Sequence, residues 1–261
     1  MNVWQAVVLG IVQGLTEFLP VSSSGHLVLL QKWFGIDPEY SMFLTVMLHV
    51  GTLVPVCIVF FKDILGLFKR PMSLLYLVIA SVPAALVGFL LSDQLDAVFY
   101  GGAYLAPCFI FTALVLLQAE LTAKTKPLYR DINAGNAFAM GLAQAVAVVP
   151  GISRSGSTIA AGCFCGVDRE KNANFAFLMS LPVIAGSALL EGYDFIKGGG
   201  AADIQFLPVL FGVIAAAVSG YIAIKVMLAL VKKANFKWFS LYLVCLSILL
   251  FIPVSYTHLR A

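Results

Sequence analysis

The chain has 261 residues, of which 61% are hydrophobic and 11% charged, and its mean hydropathy is +0.98. That balance excludes a soluble domain with a polar surface and predicts an integral membrane protein. The net charge is only +3, so where the charges sit matters more than their sum, and no nucleic-acid partner is expected.

In chain order, the first 30 residues lack a basic n-region and a small-residue cleavage site, and Gln13, Glu17 and Ser22 interrupt them. A cleavable signal peptide is therefore not expected. Within 3–34, Pro20 and the cluster Val21-Ser22-Ser23-Ser24-Gly25-His26 break the apolar pattern. Proline removes a helical donor and disfavours helix in the residue before it, so two short helices with a polar turn are predicted. Apolar runs at 42–61, 73–92 and 102–119 follow. A second broken stretch, 134–168, carries Pro150 and the cluster Ile152-Ser153-Arg154-Ser155-Gly156-Ser157, and runs at 173–190, 204–231 and 238–254 complete the pattern. Each run is near or above the ~18–20 residues that cross a bilayer as helix, which predicts six full spans. Residues 255–261 depart abruptly from the last span and are set aside as a tail of non-native character. The five cysteines lie mostly in apolar runs and read as packing residues, since Cys163 and Cys165 lack zinc-ligand spacing.

The order is an internal repeat. A shift of 131 places Gly10 on Gly141, Gln13 on Gln144, Ser22 on Ser153, Ser24 on Ser155 and Gly25 on Gly156. A shift of 132 places Phe43 on Phe175, Met47 on Met179, Ala84-Ala85 on Ala216-Ala217 and Gly88 on Gly220. The predicted fold is an all-α polytopic membrane protein forming a single domain over 1–254, with repeats at about 3–120 and 134–254. Each half is a re-entrant helix-loop-helix pair plus three transmembrane helices, because irregular backbone at membrane depth survives only where protein or water covers it.

Three crossings per half is an odd number, so the second half is predicted to be inverted. Lys62, Lys69, Arg70, Lys124, Lys126, Arg130, Arg169, Lys171, Lys225, Lys232, Lys233 and Lys237, 12 of the 16 Lys and Arg, then fall on one face. Lys32, Lys197 and Arg260 lie opposite, and Arg154 lies in the second polar turn. The positive-inside rule makes the richer face cytoplasmic. The two polar turns, entering from opposite sides, are predicted to meet near the midplane.

Ionisable groups at that depth are costly and mark a site. Gln13 and Glu17 are four apart and share a helix face suited to holding a cation or water. Ser22 to Ser24 read as the cap and first turn of a helix, where free amides attract anions, and Ser153 to Ser157 repeat this with Arg154, whose fork suits phosphate. His26 follows Ser23 by three residues, a spacing at which a histidine can activate a serine nucleophile. His49 reads as a core histidine. Asp93, Asp96, Glu191, Asp194 and Asp203 read as solvated outer-loop residues, and Asp168-Arg169-Glu170-Lys171 as a cytoplasmic turn.

The segments Gly14-Leu15-Thr16-Glu17-Phe18-Leu19-Pro20-Val21-Ser22-Ser23-Ser24-Gly25-His26 and Pro150-Gly151-Ile152-Ser153-Arg154-Ser155-Gly156 closely resemble the bacterial undecaprenyl-diphosphate phosphatase family, also called the bacitracin-resistance protein family. The resemblance implies an enzyme of the bacterial cytoplasmic membrane that removes the terminal phosphate of undecaprenyl diphosphate, a prenyl diphosphate lipid; the positive-inside topology, with the first re-entrant pair entering from the outside, predicts an active site opening to the outer, periplasmic face. The product is the monophosphate carrier for peptidoglycan and other wall polymers. It implies a divalent cation, Mg²⁺ or Ca²⁺, with Glu17 and Gln13 as candidate metal ligands; Gln13 stands where the family allows Glu or Gln. Carried onto matching positions, Ser23 resembles the nucleophile, His26 the proton-transfer partner, Glu17 the essential carboxylate and Arg154 the phosphate clamp. Ser22, Ser24, Gly25, Ser153, Ser155 and Gly156 line the diphosphate pocket, and an apolar groove between helices takes the prenyl tail. A water or His26 itself remains an alternative attacking group.

The main rival is a secondary transporter or flippase for a phosphorylated prenyl lipid, because inverted repeats with broken helices are transporter architecture. Lipid phosphatases with Ser-Arg followed by a downstream His-x-x-x-Asp are not matched, since no histidine follows Arg154 until His258. Gly151-Ile152-Ser153-Arg154-Ser155 is not a Gly-x-Ser-x-Gly elbow, which disfavours an intramembrane serine protease. The sequence leaves open whether the chain forms a homo-oligomer.

Overall fold

The computed structural model describes residues 1–99, 102–197, 205–232 and 235–258, and the described residues form helices without strands. In chain order these are α1 (Val3–Phe18), α2 (Ser23–Phe34), α3 (Pro38–Val59), α4 (Phe61–Lys69), α5 (Pro71–Phe99), α6 (Leu105–Thr125), α7 (Ala134–Val146), α8 (Arg154–Phe164), α9 (Arg169–Leu178), α10 (Ser180–Lys197), α11 (Phe206–Lys232) and α12 (Lys237–His258). Both broken stretches become helix pairs, α1/α2 and α7/α8, with the breaks at Pro20 and Pro150. The all-α polytopic reading holds.

Five apolar helical segments are long enough to cross a bilayer: Tyr40–Val59, Pro71–Leu91, Leu105–Thr125, Arg169–Leu190 and Phe206–Val231. The sixth expected span is α12, whose apolar part Lys237–Phe251 is shorter. Large side chains such as Phe89, Leu189 and Phe206 stand exposed on the outside, as lipid contact requires and water would not tolerate in such number. The chain is a multi-pass membrane protein. One element was not expected: α4 carries Phe61, Leu65 and Phe68 exposed among Lys62, Asp63 and Lys69, the composition of a short helix lying at the membrane surface. Asp203, Lys233 and Arg260 fall outside the described residues, as do the side chains of Asp93, Asp96, Glu191 and Asp194; of the tail, residues 255–258 continue α12.

Small residues decide the packing. In a membrane the hydrophobic effect does not drive helices together, so close approach of backbones at glycine carries more of the association. Gly10 and Gly14 lie one turn apart on α1, and a Cβ on Gly10 would come within 2.2 Å of Gly212 O, and one on Gly14 within 2.1 Å of Ser219 Oγ. Helix α1 therefore lies against α11 with almost no separation, and Ser219 Oγ at that contact donates within α11 to Ala215 O at 2.7 Å. The other half repeats this with the partners exchanged: a Cβ on Gly141 of α7 would come within 2.6 Å of Ala80 O on α5. Gly10 and Gly141 correspond in the repeat, as do Gly212 and Ala80. Helix α1 thus packs on α11, and α7 on α5.

Farther along, α12 lies on α6, tied by Ser247 Oγ donating to Ala106 O at 3.0 Å and by Lys237 N donating to Glu120 Oε2 at 2.5 Å. The segment before α7 is pinned to the turn after α8, with Arg130 N donating to Gly166 O and Asp168 N to Arg130 O, both at 3.0 Å. Lys171 pairs with Asp131 across that junction. These ties fix α12 on α6 and close the two ends of the second broken helix pair on each other.

Candidate active site

Glycine brings the two polar turns into contact. A Cβ on Gly25 would come within 2.6 Å of the Phe109 ring and 3.1 Å of Gly151 Cα, and one on Gly156 would come within 3.3 Å of Pro20 Cβ. Ser155 Oγ crosses from the second turn to donate to Leu19 O at 3.1 Å. Both helices that leave the turns are capped alike. Ser22 Oγ accepts from Gly25 N and Ser153 Oγ from Gly156 N, while Ser22 and Ser24 hydroxyls, like those of Ser153 and Ser155, lie 3.3 Å apart. Two helix N-termini with their uncommitted amides consequently sit side by side.

The first turn is strained. Ser22 has φ +69°, the one positive φ outside glycine among the described residues, a conformation that costs on the order of 1–3 kcal/mol and tends to persist at functional sites. His26 Nδ1 lies 2.7 Å from Ser22 O, and because a carbonyl only accepts, that nitrogen carries the proton. Nε2 then accepts from Tyr242 OH at 2.6 Å. His26 is a neutral ring with both nitrogens engaged, stacked on Tyr242 and tilted against Phe109. It holds the turn.

Ser23 turns to a different partner. Ser23 Oγ donates to Glu17 Oε2 at 2.5 Å, and Gln13 Nε2 donates to the same oxygen at 3.0 Å. Glu17 is buried, and on its other oxygen it meets Arg154 as a charge contact without an aligned hydrogen bond. A buried carboxylate without a partner would be untenable, so this pair explains how Glu17 survives at membrane depth. Thr112 braces the second turn, accepting from Ser153 N at 3.1 Å with Gly151 O at the same distance.

Gln13, Glu17, Ser22, Ser23, Ser24, Gly25, His26, Ser153, Arg154, Ser155 and Gly156 are therefore gathered into one place, as the sequence predicts. Two pairings differ from expectation. Ser23 is bonded to Glu17, while His26 is turned to Ser22 and Tyr242. His49, read as a core histidine, instead places Nε2 3.5 Å from Glu17 Oε2. Sequence reasoning missed His49, Thr112 and Tyr242, because each reaches the site from a different helix and no local spacing links it to the motifs.

A divalent cation fits the donor set here. Gln13 Oε1 is buried without a partner beside the Glu17 carboxylate, and hard cations take such oxygens together with phosphate oxygens of the substrate. One carboxylate and one amide suffice when a diphosphate supplies the remaining ligands.

The model of the bacitracin resistance protein BacA family matches residues 6–249. The chain belongs to that family. Among curated BacA relatives, it is 43% identical over 245 residues to the undecaprenyl-diphosphatase of Carboxydothermus hydrogenoformans, covering 93% of this chain and 94% of that one. The undecaprenyl-diphosphatase of Bacteroides fragilis is 41% identical over 252 residues, at 93% and 94% coverage. Undecaprenyl-diphosphatase 4 of Bacillus thuringiensis is 39% identical over 260 residues, covering 99% of both chains. BacA membership thus extends over both broken helix pairs and the spans between them.

Proposed function

We infer that the chain hydrolyses undecaprenyl diphosphate to undecaprenyl phosphate and inorganic phosphate, returning the carrier lipid to wall-polymer synthesis and so conferring bacitracin resistance. The observation that carries this reading is the 2.5 Å hydrogen bond from Ser23 to Glu17 beside Arg154, in a chain whose curated relatives bear the name undecaprenyl-diphosphatase. A transporter needs an anion site, but it has no need of a hydroxyl already donating its proton to a buried carboxylate.

The chemistry follows from the pairing. Ser23 Oγ attacks the terminal phosphorus as Glu17 Oε2 takes its proton, and the bond from that phosphorus to the bridging oxygen breaks. Undecaprenyl phosphate leaves with the bonding pair. Glu17 passes its proton to the departing undecaprenyl phosphate; water then attacks the phosphoserine as Glu17 takes a proton from it, and the phosphorus–Ser23 Oγ bond breaks with Oγ receiving that proton from Glu17, which releases inorganic phosphate. Arg154 and the amides at the starts of α2 and α8 stabilise the charge that builds on the phosphoryl oxygens. A divalent cation held by Glu17 and Gln13 Oε1 would supply further neutralisation of those oxygens. His26 takes part as a positioning residue for the Ser22–Ser24 turn. Ser22, Ser24, Gly25, Ser153, Ser155 and Gly156 bind the diphosphate.

The proposed setting is the bacterial cytoplasmic membrane, with the halves inverted, the lysine-rich connections inside and the site open to the outer face. The deciding experiment is phosphate release from undecaprenyl diphosphate by detergent-purified protein with Mg²⁺ present. Release that stops on chelation and is lost in Glu17→Gln supports the reading. Lipid binding without release would turn it towards transport.

A further inference from the structure

Away from the site, the structure holds a cavity of about 250 Å³ where α6 and α8 end. Lys126, Tyr129 and Arg130 line it from the segment that leads into α7, and Cys163, Phe164 and Cys165 from the end of α8. Two cations and no carboxylate face it among the described residues. The acids that flank these segments in sequence are committed to other groups. Asp131 pairs with Lys171, and Asp168 Oδ1 caps α9 by accepting from Glu170 N and Lys171 N, both at 3.1 Å.

Helix C-termini repel anions where their last carbonyls stand free. Here those carbonyls are taken up. At the end of α6, Arg169 Nη2 donates to Ala123 O and Lys126 N to Thr122 O. On α8, Ala161 O accepts from Cys165 N, Gly162 O from Val167 N and Cys163 O from Gly166 N, each at 3.0 Å. Beyond them Cys165 O accepts from Arg130 Nη1 at 3.3 Å, a bond that uses one of the five guanidinium donors. Lys126 is exposed and its ammonium enters no ion pair among the described residues. Both cations therefore keep donors for an anion in the cavity.

Depth selects the anion. The apolar span Leu105–Thr125 stops at the residue before Lys126, which sets the cations at the level of lipid headgroups. Tyr129 and Phe164 are exposed at the same cavity, the amphipathic pairing of interfacial aromatics with basic residues. A free phosphate ion would use the cations alone, whereas a lipid phosphate also covers the apolar wall at Phe164. We propose that this cavity binds the phosphodiester headgroup of an anionic phospholipid, with Lys126 and Arg130 on the phosphate oxygens. Bound there, the lipid bridges the segment before α7 to the end of α8, the helix that begins with Arg154.

The test uses full-length protein in phosphatidylcholine nanodiscs, with phosphatidylglycerol as the probe. Cys165 is partly exposed in the cavity wall, so its modification by N-ethylmaleimide, located by peptide mass mapping, reports occupancy. Phosphatidylglycerol is expected to slow modification of Cys165 while leaving Cys57 and Cys245, exposed on other helices, at their former rates. The fraction of phosphatidylglycerol giving half-protection should rise about fivefold in Lys126→Ala, and further when Arg130→Ala is added, since each cation near the surface contributes about that factor. Should the double variant fail to fold, because Arg130 also holds Cys165 O, Lys126→Ala carries the test. No protection in the unaltered protein, or protection unchanged in Lys126→Ala, would overturn the proposal. So would protection lost in Arg154→Ala, which moves the lipid to the diphosphate site, or equal protection by inorganic phosphate in pure phosphatidylcholine, which makes the ligand a soluble anion. None of these readouts involves phosphate release, so their failure leaves the diphosphatase reading untouched.

Discussion

The turns before α2 and α8 share their proline, their serine cap and their pair of hydroxyls 3.3 Å apart, yet they do different work. The first is strained at Ser22, carries Ser23 on Glu17, and is held by a histidine that reaches α12. The second is relaxed at its cap, with Ser153 at φ −71°, and contributes a guanidinium. The two turns present two capped helix ends, and the proposed nucleophile and base, Ser23 and Glu17, belong to the first while the compensating charge, Arg154, belongs to the second. Val148 stands where the repeat would put a second Glu17, so a symmetric pair of buried carboxylates is avoided. One arginine then suffices to offset one carboxylate.

The largest effects should come from the groups that differ between the turns. Glu17→Ala and Arg154→Ala are each expected to lower kcat by about a thousandfold with the purified protein still monodisperse, since the first removes the proposed base and the second the charge that offsets the phosphoryl oxygens. Near-normal phosphate release from either would end the site assignment. Ser23→Ala is expected to reach a similar loss, and acid quenching of the unaltered protein with labelled substrate should trap phosphoserine at Ser23; ordinary turnover by Ser23→Ala would exclude a covalent step.

Smaller losses should follow from the support of the first turn. His26→Ala is expected to cost about ten- to a hundredfold in kcat, and Tyr242→Phe less than that, with the double variant no worse than His26→Ala because the two form one unit. A loss at His26 as deep as that of Glu17→Ala would instead make the histidine the proton acceptor. The smallest effects should be purely structural. Gly10→Ala and Gly141→Ala each force the Gly10–Gly212 or Gly141–Ala80 approach apart at about 1–3 kcal/mol, read as loss of thermal stability in detergent. Gly10→Ala should also reduce turnover, since α1 carries Gln13 and Glu17, while Gly141→Ala should leave kcat close to that of the parent.

Much of this was legible without coordinates. The hydropathy runs locate the spans, since a bilayer demands ~18–20 apolar residues of helix. Pro20 and Pro150 mark the breaks, and the constant register of Gly10, Gln13 and Ser22 on their counterparts reveals the halves. Helix α4 was not legible, because nine residues with two lysines and one aspartate among apolar side chains look like an ordinary charged loop in a hydropathy profile.

By itself, the sequence determined the membrane class and the all-helical fold with its two broken helix pairs, because each follows from local composition or proline chemistry. Only the tertiary structure decided the pairings. That Ser23 bonds Glu17, that His26 bonds Tyr242, that Arg154 meets Glu17 and that His49 stands beside it all depend on how far α1, α3, α8 and α12 approach one another. That distance is set by backbone contacts at Gly10, Gly14, Gly25 and Gly156, where the absence of a side chain lets the helices close.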